Sequence, residues 1–167
     1  KEKINEVHAE GEMVDLDIRL ATRYKNKLHI THVSSRNGLE KIIEAKKNGI
    51  SVTCDATPHH LFLTKDDEVK LGGFGAMKPP LESNEDVNFL WKNMGEIDCI
   101  VTDHAPHTIE EKKSENPPYG VPGFETMLPL LLTAVREKRL TIDDVIRLTN
   151  TNPSSIFGIS QDKDTYI

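Results

Sequence analysis

Asp103-His104-Ala105-Pro106-His107 closes the run Ile97-Asp98-Cys99-Ile100-Val101-Thr102, so an apolar, β-branched stretch ends abruptly in a carboxylate and two imidazoles. A buried strand that delivers polar side chains to a site at its carboxyl end has this form. Three more polar groups sit at comparable points upstream. His8 closes a short segment just before a helical pattern, His32 takes a position otherwise given to Leu28 and Ile30, and Asp55 closes Ile50 to Cys54. Imidazole nitrogens with a carboxylate suit Zn²⁺ or a similar borderline metal, and ligands from different strands need no close spacing in sequence. Asp103 has a second role open to it, since a carboxylate beside a metal-activated water can take its proton and later return it to a leaving group. Each residue also has a plainer reading: a hydrogen-bonded core histidine for His32, a loop-capping aspartate for Asp103.

The elements that must position these groups follow from periodicity. Met13, Val14, Ile18, Ala21 and Tyr24 predict an amphipathic helix over 13–26, and Leu28 to Val33 a strand in which His29 faces away from His32 and packs. Leu39, Ile42, Ile43 and Ala45 give the next helix its apolar face, which Gly49 ends before the strand 50–55. Thr64 is placed to cap a short helical piece, Gly72 to Pro80 reads as irregular loop, and Ser83 with Asp86 starts the helix leading to the strand from Ile97. The polar stretch 108–122 reads as a loop whose charge run Glu110-Glu111-Lys112-Lys113 is solvated, with a lid over the site as the alternative. A helix over 124–138 and another capped by Thr141, ending near Asn150, complete a βαβαβαβαα order. Strict alternation predicts a parallel sheet with its active site at the carboxyl ends of the strands, where His8, His32, Asp55 and Asp103 all fall.

At 167 residues with 37% hydrophobic and 29% charged residues, the chain can bury the core of one globular domain. No apolar run approaches the roughly 20 residues of a membrane helix, and Lys1 to Asn5 carry no signal-peptide core, so membrane association is not expected and a cytoplasmic location is. A net charge of −6 without a basic stripe argues against nucleic acid. Cys54 and Cys99 each sit inside an expected strand and read as small core residues.

His8-Ala9-Glu10, His32-Val33, Val52-Thr53-Cys54-Asp55 with Pro58-His59-His60-Leu61, Pro79-Pro80-Leu81, Ile97-Asp98-Cys99, Asp103 to His107 and Pro122-Gly123-Phe124-Glu125-Thr126-Met127-Leu128-Pro129 together resemble the second half of dihydroorotase, in order, from His8 to about Gly158. That family is a group of zinc amidohydrolases of pyrimidine biosynthesis built on a (β/α)8 TIM-type barrel. The resemblance implies an α/β fold comprising strands 5–8 of such a barrel over 1–158, with 159–167 opening a C-terminal tail. It implies the reversible conversion of N-carbamoyl-L-aspartate to L-dihydroorotate, one or two Zn²⁺ ions per complete site, His8, His32 and Asp103 as metal ligands, and Asp103 as general base.

By the same resemblance His107 contacts substrate, Pro122 and Gly123 line its pocket with backbone, and Lys78 offers a cation near the substrate carboxylate. Asp55 matches a position that is a glutamate in many members and can touch metal. His59, His60 and His104 read as supporting residues. No His-x-His pair occurs in the chain, so the ligands that the family draws from its first four strands are not here. The expectation is a fragment inactive alone, whose partners are the missing N-terminal half of the barrel, a second copy in a homodimer, or aspartate carbamoyltransferase. The alternatives are a catalytically dead dihydroorotase-like scaffold for that transferase, and a hydantoinase or allantoinase.

Overall fold

The computed structural model describes residues 4–160. Four strands, β1 (Ile4–Val7), β2 (Lys27–Ile30), β3 (Val52–Ala56) and β4 (Cys99–Ile100), form one parallel sheet in sequence order. Helix α1 (Glu12–Tyr24) connects the first pair and α2 (Arg36–Lys47) the second. Between β3 and β4 lie α3 (Pro58–Phe62), α4 (Lys65–Leu71), a 3₁₀ turn over Gly72–Gly75 and α5 (Asn84–Lys92). After β4 come α6 (Ile109–Lys112), α7 (Phe124–Arg136), α8 (Ile142–Ile146), a π turn (Arg147–Thr151) and α9 (Asn152–Phe157). This is the parallel α/β order expected from the alternation of periods.

Most of the helices begin where side chains satisfy their free amides. Thr64, Ser83, Thr108 and Thr141 each form a reciprocal capping box with the acid three residues on, and Ser35 and Thr57 cap α2 and α3 through their hydroxyls. The apolar faces of α1, α2 and α5 then close on the sheet, burying Val14, Leu39, Ile42 and Leu90 against Ile30 and Cys54. Leu131 of α7 and Leu148 of the π turn complete the same core.

Two strands are shorter than their apolar runs. β2 stops at Ile30 and β4 holds two residues, because His32 and Asp103 turn into positive φ, +42° and +45°, and end each ladder. The last helical segment outlasts its expected end near Asn150, continuing through the π turn to Phe157. Gly72 to Gly75 winds into a 3₁₀ turn instead of an irregular loop, and the charge run after Thr108 is helical. The expected tail at 159–167 lies outside the described residues from Gln161 onwards.

Each outer strand pairs on one side, β1 with β2 and β4 with β3, among the described residues. Apolar side chains stay exposed on both flanks: Met13, Leu16, Leu20 and Tyr24 along α1, and Phe124, Leu128 and Leu132 along α7. No helix among the described residues is long and apolar enough to cross a membrane.

Candidate active site

The carboxyl ends of the four strands bring the sequence candidates to one side of the sheet. His8 follows β1 and His32 follows β2 by one residue beyond Thr31. Their rings meet, with His8 Nδ1 and His32 Nε2 2.6 Å apart and centroids 4.7 Å apart. His32 is buried, and its Nδ1 has no hydrogen-bond partner. Asp103 leaves β4 two residues after Val101 and is half-buried, and no hydrogen bond to its carboxylate is found among the described residues.

Asp55 stands elsewhere. It is 1% exposed, and both oxygens of its carboxylate accept hydrogen bonds within the protein. Oδ1 accepts from the His32 backbone amide at 2.6 Å and Oδ2 from His29 Nε2 at 2.8 Å, while the Thr31 hydroxyl reaches both oxygens at 3.1 and 2.9 Å. The metal contact expected of Asp55 competes with these bonds, which tie its carboxylate to His29 of β2 and to Thr31 and His32 just beyond it. His29 likewise does more than pack. It is fully buried, and its Nδ1 shares a hydrogen with Thr53 Oγ1 at 2.7 Å. A histidine three residues before a strand-end histidine, with an aspartate at the neighbouring strand end, was the signal available for this pair.

The other candidates lie on the segments that follow β3 and β4. His107 Nε2 donates to Tyr119 O at 3.0 Å. Lys78 is exposed, next to the buried Pro79 whose carbonyl accepts from His60 Nε2 at 3.0 Å. Pro122 and Gly123 line a largely apolar cavity of 230 Å³ together with His59, Phe62 and Thr102. Gly123 cannot be anything larger, since a Cβ there would stand 2.5 Å from Thr102 O. His104 accepts from the amides of Gly123 and Phe124 on Nδ1 at 3.1 and 3.3 Å, and its ring stacks on Phe124, so it caps α7 from outside the helix.

Burial sets the charge states of two of these groups. It pushes His59 down to about 3, helped by His60 and His32 nearby, and His60 down to about 4 against the pull of its bond to Pro79. Both rings are neutral at pH 7. His60 Nδ1 then accepts from Thr57 Oγ1 at 2.7 Å, whereas His59 Nε2 is buried without a partner.

As a metal site the arrangement is partial. Two facing imidazole nitrogens and an unpaired carboxylate match the donors that zinc takes, and their separation of 2.6 Å is below the about 3.3 Å between tetrahedral ligands of Zn²⁺. For the two imidazoles alone, a separation larger by less than an ångström would meet that spacing. Among the described residues no three His, Cys, Asp or Glu side chains stand together as a finished cage.

Comparison with known proteins places this geometry. No family model matches the chain. The multifunctional protein CAD of Squalus acanthias is 49% identical over 162 residues, covering 96% of this chain and 7% of the relative. The dihydroorotase of Methanosphaera stadtmanae is 45% identical over 148 residues, 87% of this chain and 34% of that protein. The chain is similar in sequence to the dihydroorotases. It spans about a third or less of the dihydroorotase and CAD sequences it matches. Among solved structures, the L-hydantoinase (dihydropyrimidinase) of Arthrobacter aurescens superposes with a TM-score of 0.85 at 31% identity, over 92% of this chain and 36% of that one. An inactive dihydroorotase-like domain of a Chaetomium thermophilum CAD-like multifunctional protein superposes at 0.77 with 27% identity, over 95% of this chain and 44% of that one.

Proposed function

We propose that this chain supplies strands 5–8 of a (β/α)8 dihydroorotase barrel over 1–158, and that with the rest of the barrel it interconverts N-carbamoyl-L-aspartate and L-dihydroorotate as a cytoplasmic enzyme of pyrimidine biosynthesis. The observation that carries this reading is the pair of strand-end imidazoles at 2.6 Å together with the unpaired, left-handed Asp103. The one-sided pairing of β1 and β4 and the apolar flanks of α1 and α7 fit a barrel continued by other strands.

His8, His32 and Asp103 would hold zinc, with further ligands from the rest of the barrel. Zinc, when bound, polarises a carbonyl and lowers the pKa of water towards about 7. The chain's own groups do the remaining work. Asp103 takes the proton of the attacking water and returns it to the departing ring nitrogen. Asp55 fixes His32 by its backbone amide, so the imidazole meets the metal in one orientation. The substrate is anionic and the chain carries a net charge of −6, so local cations must bind it. Lys78 supplies an ammonium, and His107 turns its Nε2–H from Tyr119 O to the substrate carboxylate. Pro122 and Gly123 shape the pocket wall. The partners in this reading are the remainder of the barrel, a second copy, and aspartate carbamoyltransferase.

The decisive measurement is metal content and dihydroorotate hydrolysis by the whole protein that carries this chain. Stoichiometric zinc with turnover is expected, and its loss in Asp103→Ala. Zinc-free protein without turnover would overturn the reading in favour of a catalytically dead scaffold, and turnover of hydantoin or allantoin alone would reassign the substrate.

A further inference from the structure

Lys112 is the third residue of a charge run, yet it is 5% exposed, and no carboxylate pairs with it among the described residues. Its ammonium donates to three backbone carbonyls: Ala76 O at 2.9 Å, Pro118 O at 2.9 Å and Gly120 O at 3.0 Å. An ammonium has three donors, and all three are used. Burial holds the group below the ordinary lysine range, so keeping a charge here is unfavourable unless the carbonyls repay it.

The three carbonyls come from two separate segments, and each segment carries residues that the proposed function places at the substrate. Ala76 precedes Lys78 by two positions. Gly120 precedes Pro122 and Gly123, and Tyr119, between two of the carbonyls, holds His107. Backbone bonds run alongside: Gly120 N donates to Ala76 O at 3.1 Å and Ala105 N to Val121 O at 3.1 Å. The segments touch so closely that only glycine fits at the contacts. A Cβ on Gly73 would lie 2.0 Å from Lys112 O, and one on Gly120, at φ +130°, 2.5 Å from Ala105 O.

We infer that Lys112 is a positioning residue, a buried three-carbonyl clamp that sets the spacing between the Lys78 segment and the His107/Pro122/Gly123 segment and thereby the width of the substrate pocket. It touches neither metal ligand nor substrate. Its effect is on binding, and the inference rests on the dihydroorotase reading for the ligand and for the substrate roles of Lys78, His107, Pro122 and Gly123.

The test uses the whole protein. Lys112→Met leaves the three carbonyls without their donor, and Gly73→Ala pushes a methyl against Lys112 O without removing the charge. In each, KM for dihydroorotate should rise at least tenfold while kcat changes less than threefold and zinc content stays at the parent level. Amide exchange at Gly120 and Ala105 should quicken at least tenfold. If Lys112→Met does not fold, Gly73→Ala delivers the same readouts. Unchanged KM and unchanged exchange, or a joint fall of kcat and zinc at constant KM, would overturn the clamp. A parent protein that binds zinc and hydrolyses no dihydroorotate would defeat the functional reading instead, and the exchange rates then decide the clamp alone.

Discussion

His32 and Asp103 share one backbone state: both end a strand in the left-handed region, at φ +42° and +45°. Residues with a Cβ adopt it at a cost of order 1 kcal/mol, and such outliers gather at functional sites. Asp103→Gly and Asp103→Ala both delete the carboxylate, but only glycine is relaxed at this φ. The expected outcome inverts the usual order of helix and strand interiors: Asp103→Gly is the more stable by about 1 kcal/mol, and both lower dihydroorotate turnover by a factor of a thousand or more. Chemical denaturation of the two metal-free variants checks the first point. Equal stabilities, or alanine the more stable, would show that the φ carries no strain.

Asp55 offers a clean separation of anchor from ligand. Asp55→Ala strands the His32 amide and the buried His29 and Thr31 donors, so it should cost about 3 kcal/mol, in the range for breaking a buried charged network. Asp55→Asn keeps the shape and one acceptor. Its expected result is a 10- to 100-fold weaker zinc affinity with the ion number per site unchanged, as for loss of an outer-shell partner. Metal titration against a chelator measures it, and a drop of one whole ion per site would return Asp55 to the ligand set.

The two buried histidines after β3 set an acid limit on the metal-free protein. His59 at about 3 and His60 at about 4 lie below the unfolded value of 6.5, so the folded state disfavours their protons. Stability from this source is fully present above pH 6.5 and falls as pH drops towards 4 and then 3. The unfolded chain binds the extra protons in that window, at up to about 1.4 kcal/mol per pH unit for each ring. Denaturant midpoints of the apo protein between pH 7 and 4 should show the decline, with a shallower slope in His60→Asn. A parallel slope in that variant would remove His60 from the account.

Burial pushes both thiols, Cys54 and Cys99, up to about 12. Iodoacetamide at pH 8 should therefore label neither in the native protein and both after unfolding. Stoichiometric labelling of the native state would contradict the strand placement of these residues.

Much of this was legible in sequence. The βα alternation and the Thr64, Ser83 and Thr141 starts are local, because period and capping chemistry lie within a few residues. His8 and His32 were legible as a pair because each closes a strand. The role of Asp55 was not, since its partners come from β2, and only the parallel register Leu28↔Val52 to Ile30↔Cys54 brings His29 and Thr31 beside it. Lys112 carries no local signal at all. Its neighbours are solvated charges, and its own burial is decided by a glycine-lined segment 36 residues upstream together with the loop 6 to 8 residues downstream.

The cap that His104 places on α7 has a consequence for how the Asp103–His107 segment tolerates change. The same five residues carry Asp103, a metal ligand in the proposed function, and supply the acceptor for the first amides of a thirteen-residue helix. Chemistry and folding are thus written side by side into one string, on two different residues. A protein descended from an active enzyme could discard Asp103 freely once catalysis no longer mattered, yet would still be held to His104 by the helix. Survival of the histidine beside a lost aspartate would be the fossil of a retired active site.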